Sequence, residues 1–331
     1  MKQAWKIALL GMALLLLPVL WGYAAPEVSM GMVTGSTKGT YYQFGLNIAE
    51  IVKEKNIRLN VVPSEGSVEN VYAVFKRPNT QLGIVQADVL AFVVRISSDP
   101  VLQQISQKIK MVFPLYNEEI HLVGRSGVKK FADLQGKRVA IGQEGSGTYL
   151  TVRLLFEISG IIPSEMVTIG TNDALSQLKT GQIDAMFYVA GYPVQLFINE
   201  INNSDDLALI PIQNEAIAEF YPQTVIPADT YAWQHEEVST MAVKAVLVSF
   251  NFRGDHCENV GQVGRQIYEK LDWLQQHGHP KWNVVNLDAS LKGWEQYDCV
   301  RNKLVKRPAV SRPAATEINP VLEAIKDVLQ Q

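Results

Sequence analysis

One local pattern constrains the fold of this chain most strongly: an apolar strand, then a polar turn rich in Gly and Ser, then an amphipathic helix. A first stretch of the chain has strands at 28–33, 59–62 and 81–85. The turns at 34–40 and 63–67 follow the first two strands, and each turn leads into a helix. A second stretch has a strand at 139–142, a turn at 143–148, a helix that stops at Gly160, and a strand at 183–188. Strands that alternate with helices in this way predict an α/β fold with parallel strand pairs.

Two segments carry the chain between these stretches. Residues 113–123 are predicted to be extended, and the chain returns around 225–238, ahead of predicted helices at 241–252 and 260–277. Two crossing strands of this kind form a hinge and leave a ligand cleft between two lobes. The predicted organisation is a signal peptide at 1–25, a discontinuous first lobe at 26–114 and 236–331, and a second lobe at 115–235.

The N-terminal residues indicate the compartment. Lys2 and Lys6 precede an apolar run at 7–20, and Ala24-Ala25 supplies small residues for cleavage. This order is typical of a secretory signal peptide and predicts export to the periplasm. The alternative is a retained membrane anchor, which needs a longer apolar run, and Pro18 also argues against retention.

Charge and cysteine content limit the partners. The formal net charge is −3, and it becomes more negative once the signal peptide is removed. A mildly acidic exported protein has no electrostatic basis for binding nucleic acid, and we expect a monomer. Cys257 and Cys299 are the two cysteines, and an even pair in an oxidising compartment predicts a disulfide. A metal site is the weaker alternative, because neither cysteine lies in a CxxC motif.

Two turns place hydroxyls and backbone amides at predicted helix N-termini: 64–67 in one lobe and 145–148 in the other. The first amides of a helix lack internal partners, and the helix dipole favours negative charge there, so such turns suit a carboxylate or a phosphate. Ordinary N-capping explains the same residues and stays open as the alternative. Tyr41 and Tyr42 either line a ligand pocket or pack in the core, while Gln86 and Tyr188 end strands where α/β sheets bind ligands.

Catalytic motifs are not evident in the sequence. It contains no GxSxG elbow and no HExxH helix, His121 is predicted to be a core residue, and His277 and His279 are predicted to be solvated imidazoles. We therefore expect a protein that is not an enzyme and that carries no metal or other cofactor.

The motifs, taken in order, resemble the TAXI class of TRAP-transporter solute-binding proteins. The motifs that carry the resemblance are Thr34-Gly35-Ser36, Gly39-Thr40-Tyr41-Tyr42, Gly66-Ser67-Val68-Glu69-Asn70, Gln86-Ala87-Asp88, Glu119-Ile120-His121-Leu122-Val123, Leu134-Gln135-Gly136-Lys137-Arg138-Val139, Gly145-Ser146-Gly147-Thr148 and Gly181-Gln182-Ile183-Asp184-Ala185. The resemblance covers residues 28–250. It implies a two-lobed periplasmic-binding-protein fold of the second type, a small carboxylate ligand such as glutamate or 2-oxoglutarate, and delivery to an ion-driven membrane permease. Carried over by position, the ligand-binding residues are Ser36, Thr37, Tyr41, Ser67, Gln86, Ser146, Gly147, Thr148 and Tyr188.

Departures from the family pattern keep other functions open. Lys38 and Glu65 stand where small residues are common, and Ala87 replaces a usual serine. A charged residue at the cleft rim changes the preference for ligand charge. The alternatives are a binding protein for another anion, such as phosphate, that serves an ATP-driven permease, and an enzyme on the same fold.

Overall fold

The computed structural model of the chain describes residues 27–95 and 100–304. The predicted signal peptide, residues 1–25, and the basic C-terminal tail from residue 305 onward lie outside these ranges. Within them, no helix combines the length and the apolar character needed to cross a membrane.

The described residues form one mixed sheet with helices packed against it. Its strands are β1 (Val28–Val33), β2 (Ile57–Val62), β3 (Leu82–Gln86), β4 (Ile109–Arg125), β5 (Arg138–Ala140), β6 (Glu165–Val167), β7 (Ala185–Ala190), β8 (Leu207–Leu209), β9 (Gln223–Ile226) and β10 (Val238–Phe250). The helices are α1 (Thr40–Val52), α2 (Ser67–Lys76), α3 (Ala87–Arg95), α4 (Pro100–Lys108), α5 (Gly147–Ser159), α6 (Thr171–Lys179), α7 (Gln195–Glu200), α8 (Glu215–Ala218), α9 (Asp255–Glu269), α10 (Leu271–His277) and α11 (Asp298–Arg301).

The strand order is β2-β1-β3-β10-β4-β7-β5-β6, with β8 on β4 and β9 on β10. Parallel pairs lie towards both ends of this order, β1 with β2 and β3, and β5 with β6 and β7. Between them, β4 and β10 pair antiparallel and also pair antiparallel with their outer neighbours β7 and β3. The mixed α/β sheet thus has two wound halves joined by a central antiparallel pair.

The central pair connects the two lobes, and both of its strands are long. β4 has 17 residues and β10 has 13, beyond the usual strand length. We call β1–β3 with α1–α4 and α9–α11 the first lobe, and β5–β9 with α5–α8 the second lobe. One apolar core joins Phe44 and Trp282 in the first lobe to the start of β4, and another joins Phe156 and Phe187 in the second lobe to its end. The chain therefore has the two-lobed fold with a two-strand hinge, while the lobe limits at 115 and 235 stay a prediction.

One predicted element is wrong. Residues 241–250 were expected to be helical, but they lie in strand β10. A continuous apolar run fits a buried helix or a buried strand equally by periodicity, and the valines of this run fit a strand. Because β10 is buried along most of its length on both faces of the sheet, its apolar side chains do not alternate with a polar face.

The C-terminal helices close the first lobe. Cys257 in α9 and Cys299 in α11 form the predicted disulfide, with a sequence separation of 42 residues. On the chain-entropy model, a loop of this length stabilises the fold by about 4 kcal/mol. The disulfide fixes α11 against α9, and α9 in turn packs on α1, whose N-terminus opens onto the cleft.

Candidate functional site

A cavity of about 350 Å³ lies between the lobes. Four helices begin at it: α1 after Gly39, α2 after Gly66, α5 after Ser146, and α6 after Gly170. The first backbone amides of each helix have no acceptor within the helix, and the helix dipoles add partial positive charge. The helix starts thus give the cavity an electropositive lining of backbone donors.

In three of these helices the N-cap residue is a glycine, which has no side chain to cap the helix. Their initial amides are therefore not occupied by a side chain of the N-cap residue. At α5 the N-cap is Ser146, whose hydroxyl accepts from Tyr149 N at 3.1 Å and donates to Gln143 O at 2.7 Å. The capping interpretation explains the Ser146 hydroxyl, although the residue itself lines the cavity.

The first lobe contributes a hydrogen-bonded chain of predicted site residues. Tyr41 Oη donates to Glu118 Oε2 at 2.6 Å and lies 3.3 Å from Ser67 Oγ. Because Tyr41 has one hydroxyl proton, Ser67 is the donor in their contact. Ser67 Oγ also accepts from Gln86 N at 3.1 Å. These hydrogen bonds fix Tyr41, Ser67 and Gln86 at one wall of the cavity.

The second lobe supplies Gly147, Thr148 and Tyr188. Thr148 Oγ1 accepts from Val189 N at 3.1 Å, and its hydroxyl proton has no acceptor among the described residues. A Cβ atom on Gly147 would lie 1.7 Å from Gln86 Oε1, so any larger residue would have to displace the Gln86 side chain where the lobes meet. Eight of the nine predicted ligand-binding residues line the cavity. They are Ser36, Tyr41, Ser67, Gln86, Ser146, Gly147, Thr148 and Tyr188.

Thr37 is the predicted residue that the structure does not bring to the cavity. It is exposed, and its carbonyl oxygen accepts from Gln43 Nε2 at 3.4 Å. The neighbouring Lys38 points to the other lobe, where its Nζ lies 2.7 Å from Glu200 Oε1. Of the two charged departures from the family pattern, Lys38 is therefore in an ion pair between the lobes, and Glu65 lines the cavity.

The lobes contact one another directly around the cavity. The first turn of helix α2 meets the 145–148 turn of the other lobe through a backbone hydrogen bond from Glu69 N to Gly145 O, at 3.0 Å. Thr40 Oγ1 donates to Gly191 O, also across the cleft. Asp88 Oδ2 in α3 accepts from Thr151 in α5 at 2.6 Å and from Tyr221 at 3.0 Å. These contacts hold the cleft in a closed arrangement.

Glu118 is a cavity residue that the sequence reasoning missed. It lies in the hinge strand β4, is 2% exposed, and lines the cavity. Burial raises the pKa of its carboxyl well above the usual value, the Tyr41 hydrogen bond lowers it, and the nearby charge of Asp88 raises it. The sequence signal for Glu118 is a pair of adjacent glutamates in an otherwise apolar strand. Carboxyl groups are seldom fully buried unless they have a partner, so such a pair indicates a functional or paired site.

The second of these glutamates has a different role. Glu119 Oε1 lies 2.6 Å from Lys281 Nζ, and both side chains are almost fully buried. Lys281 Nζ also lies 3.7 Å from the centre of the Tyr192 ring. Glu119 Oε2 accepts from Tyr192 N at 3.3 Å. We call Glu119, Lys281 and Tyr192 the hinge cluster, because it joins strand β4 to the C-terminal segment and to the second lobe.

Two histidines are buried and neutral. His121 Nδ1 lies 3.0 Å from Glu119 O, its Nε2 lies 2.9 Å from Tyr231 Oη, and burial lowers its pKa to about 4. It is the core residue that the sequence predicts. The expectation of a solvated His279 is wrong: it is buried, its Nε2 lies 3.2 Å from Pro193 O, and burial lowers its pKa to about 4. Over 27–95 and 100–304, no three His, Cys, Asp or Glu side chains are grouped to hold a metal ion.

Solved structures with this fold are similar over most of the chain. A protein of Bordetella bronchiseptica RB50 is 18% identical, with 78% of this chain and 76% of that chain covered and a TM-score of 0.50. A substrate-binding protein of an ABC uptake transporter from Streptococcus pneumoniae, with bound histidine, is 19% identical, with 79% of this chain and 95% of that chain covered and a TM-score of 0.50. At such identities the likeness concerns the fold.

A family model gives the relationship in sequence. The model of the NMT1-like family matches residues 32–294. This match includes the turns at 64–67 and 145–148, the strands β4 and β10, and the hinge cluster. The chain belongs to the NMT1-like family.

Proposed function

We propose that this chain is an extracytoplasmic solute-binding protein that captures a small carboxylate in the interlobe cavity and delivers it to an ion-driven TRAP permease. The observation that supports the proposal most strongly is the convergence of four helix N-termini on one enclosed cavity. Backbone amides at helix starts bind carboxylate oxygens without help from a basic side chain. The permease type and the periplasmic location rest on the resemblance to the TAXI class and on the predicted signal peptide.

Binding without turnover is the interpretation that the cavity favours. His121 is held by Glu119 O and Tyr231 Oη, outside the residues that line the cavity, and its lowered pKa leaves it neutral at pH 7. The Ser146 hydroxyl is held by backbone groups, and the Ser67 hydroxyl by Gln86 N and the Tyr41 phenol, so neither contacts a side-chain base directly. An activated nucleophile needs a base within hydrogen-bond reach, so these serines suit ligand contact better than catalysis.

Thermal melting of the mature protein against a ligand panel tests the proposal. The panel contains carboxylates, amino acids, phosphate and sugars, each tested at increasing concentration. A ligand at 100 times its dissociation constant adds about 2.7 kcal/mol to the free energy of unfolding and raises the melting temperature measurably. A shift with one or more carboxylates is expected. A shift with phosphate alone would contradict the carboxylate proposal and favour a phosphate-binding protein.

The permease is tested separately from the ligand. The Streptococcus pneumoniae protein of similar fold serves an ABC uptake transporter, so an ATP-driven permease is the competing partner. A gene for a large multi-span permease beside the gene for this chain, with no ATPase gene, is the expected arrangement. Ligand uptake that follows an ion gradient in vesicles containing that permease, without ATP, would establish the ion-driven partner. Uptake that requires ATP would contradict it.

A further inference from the structure

The charged side chains that line the cavity are all acidic. Among the described lining residues, they are Glu65, Glu118 and Asp173, and neither lysine nor arginine is present. The backbone amides at the helix starts favour an anionic group, whereas these acids favour a cationic one. Glu65 and Asp173 are exposed and Glu118 is buried, so Glu118 is the acid that a bound ligand would meet away from solvent. The lining therefore suits a ligand that carries both a negative and a positive charge.

Glu118 is the most deeply placed of these acids. Tyr41 Oη donates to its Oε2 at 2.6 Å, while its Oε1 accepts no hydrogen bond from any described residue. The side chain is 2% exposed and lines the cavity, and Oε1 is not one of the fully enclosed atoms, so Oε1 is reached from the cavity. A donor on a bound ligand would complete the hydrogen bonding of this oxygen.

The groups that surround Glu118 supply no such donor. Asp88 accepts from Thr151 and Tyr221, and Lys281 Nζ lies 2.6 Å from Glu119, so its charge is already compensated. Three tyrosine hydroxyl groups interact electrostatically with the Glu118 carboxyl: those of Tyr41, Tyr116 and Tyr188. The Tyr116 hydroxyl is itself buried and has no hydrogen-bond partner among the described residues. The environment of Glu118 is thus poor in cations and lacks a partner for its free oxygen.

We propose that Glu118 accepts a hydrogen bond from a positively charged amino group of the ligand, whose carboxylate is held by the helix N-termini. This inference rests on the proposed function and deepens it: the ligand is an α-amino acid, not an oxo acid or another carboxylate without an amino group. Burial raises the pKa of the Glu118 carboxyl well above its usual value, and a bound ammonium group would lower that pKa by favouring the charged carboxylate. Glu118 is then the residue that selects amino acids over the corresponding 2-oxo acids.

Matched ligand pairs test the inference. Each pair shares a carbon skeleton and differs only in an amino or an oxo group: alanine and pyruvate, aspartate and oxaloacetate, glutamate and 2-oxoglutarate, leucine and 4-methyl-2-oxopentanoate. For the pair that binds, titration calorimetry of the wild-type protein is expected to give about tenfold or greater preference for the amino acid, because a hydrogen bond to a charged group is at stake. This comparison requires no variant.

Variants then assign the preference to Glu118. Glu118→Gln keeps the shape of the side chain and removes the charge, so the preference for the amino acid is expected to shrink to near unity, chiefly through loss of amino-acid affinity. Glu118→Asp keeps the charge and is expected to keep the direction of the preference. Glu157→Gln, an exposed acid on α5, is the matched control and leaves both affinities unchanged.

The outcomes separate this inference from the proposed function. Equal affinity for the two members of a binding pair, or an unchanged preference in Glu118→Gln, would overturn the role of Glu118 while leaving a carboxylate-binding protein. Binding of neither member of any pair would overturn the proposed carboxylate function itself, and the inference with it.

Discussion

At the scale of single residues, hydroxyl groups that look alike in the sequence have different roles in the cleft. The Ser146 hydroxyl is fully engaged in capping α5, whereas Thr148 accepts from Val189 N and keeps its proton free for a ligand. Ser67 supports Tyr41 and Gln86 within the wall of the cavity. The position of each hydroxyl relative to its own helix start decides whether it stabilises the protein or contacts the ligand.

Removing hydroxyls from the cavity wall should weaken binding. Thr148→Ala and Ser67→Ala are each expected to reduce ligand affinity by about 0.5–1.5 kcal/mol, because the first removes a hydroxyl that is open to the ligand and the second removes the hydrogen bonds that position Tyr41 and Gln86. Thr37→Ala is the matched control, because Thr37 is exposed and does not line the cavity. Titration calorimetry with the ligand found by melting measures all three variants. Unchanged affinity in both Thr148→Ala and Ser67→Ala would rule out the assigned pocket.

Buried His121 should make the fold sensitive to acid. Burial lowers its pKa from the ordinary 6.5 to about 4 in the folded protein, so the unfolded chain binds more protons between these pH values. Stability from this residue is therefore present above pH 6.5 and is lost as the pH falls towards 4. Between about pH 7 and pH 5 we expect the wild-type free energy of unfolding to fall by about 2 kcal/mol more than that of His121→Asn. Urea unfolding at both pH values measures this difference, with exposed His235→Asn as the control; parallel pH dependence of His121→Asn and wild type would contradict it.

At the scale of elements, the start of α5 determines how closely the lobes approach. Gly147 faces Gln86 and Ser67, and a Cβ atom there would lie 2.8 Å from Ser67 Oγ as well as 1.7 Å from Gln86 Oε1. A methyl group would have to push both side chains aside or hold the lobes apart. The N-terminal residue of one helix thus sets the width of the cleft.

Gly147→Ala should therefore impair closure of the lobes on the ligand more than it impairs folding. We expect ligand affinity to fall by about tenfold or more, since a misplacement of an ångström at a binding site has large effects. Gly127→Ala, at a glycine with open space around it, is the matched control. Small-angle scattering with saturating ligand should show a more extended particle for Gly147→Ala than for wild type. If Gly147→Ala binds the ligand as tightly as the wild-type protein, the inference that the start of α5 limits how closely the lobes approach is wrong.

The sequence predicted the elements that repeat a local pattern and missed those that depend on pairing. The turns before α2 and α5 were identifiable because glycines and hydroxyls follow apolar strands directly. Strand β10 was mistaken for a helix, since a run buried on both faces has no alternation to detect. Glu118 was missed for a related reason: which way a side chain of β4 faces depends on its pairing with β7 and β10, which local sequence does not determine.

At the scale of the whole molecule, the hinge cluster links three distant parts of the chain. Lys281 comes from the C-terminal segment, Glu119 from strand β4, and Tyr192 from the second lobe. Burying two charges is costly, and their mutual contact offsets that cost only while both are present. The cluster therefore ties the C-terminal part of the first lobe to the hinge.

Removing one member of this pair should be strongly destabilising. Lys281→Met is expected to lower the free energy of unfolding by about 3–5 kcal/mol, because Glu119 remains buried without its partner. The double variant Lys281→Met/Glu119→Gln should recover part of this loss. Lys53→Met removes an exposed ion pair with Glu50 and should have little effect. Guanidinium chloride unfolding measures each variant, and a loss as small as that of Lys53→Met would contradict the role of the cluster.

The contacts between the lobes also determine what happens after capture. Lys38 with Glu200, Glu69 with Gly145, and Asp88 with Thr151 all join the lobes without using the ligand. Each bond of this kind raises the population of the closed form, and apparent affinity rises with that population. Such bonds also delay release, because they must break before the ligand can leave. For the proposed delivery to a permease, release therefore requires that these bonds between the lobes break. The Lys38–Glu200 pair is exposed, so a docked protein surface can reach it without contact with the ligand.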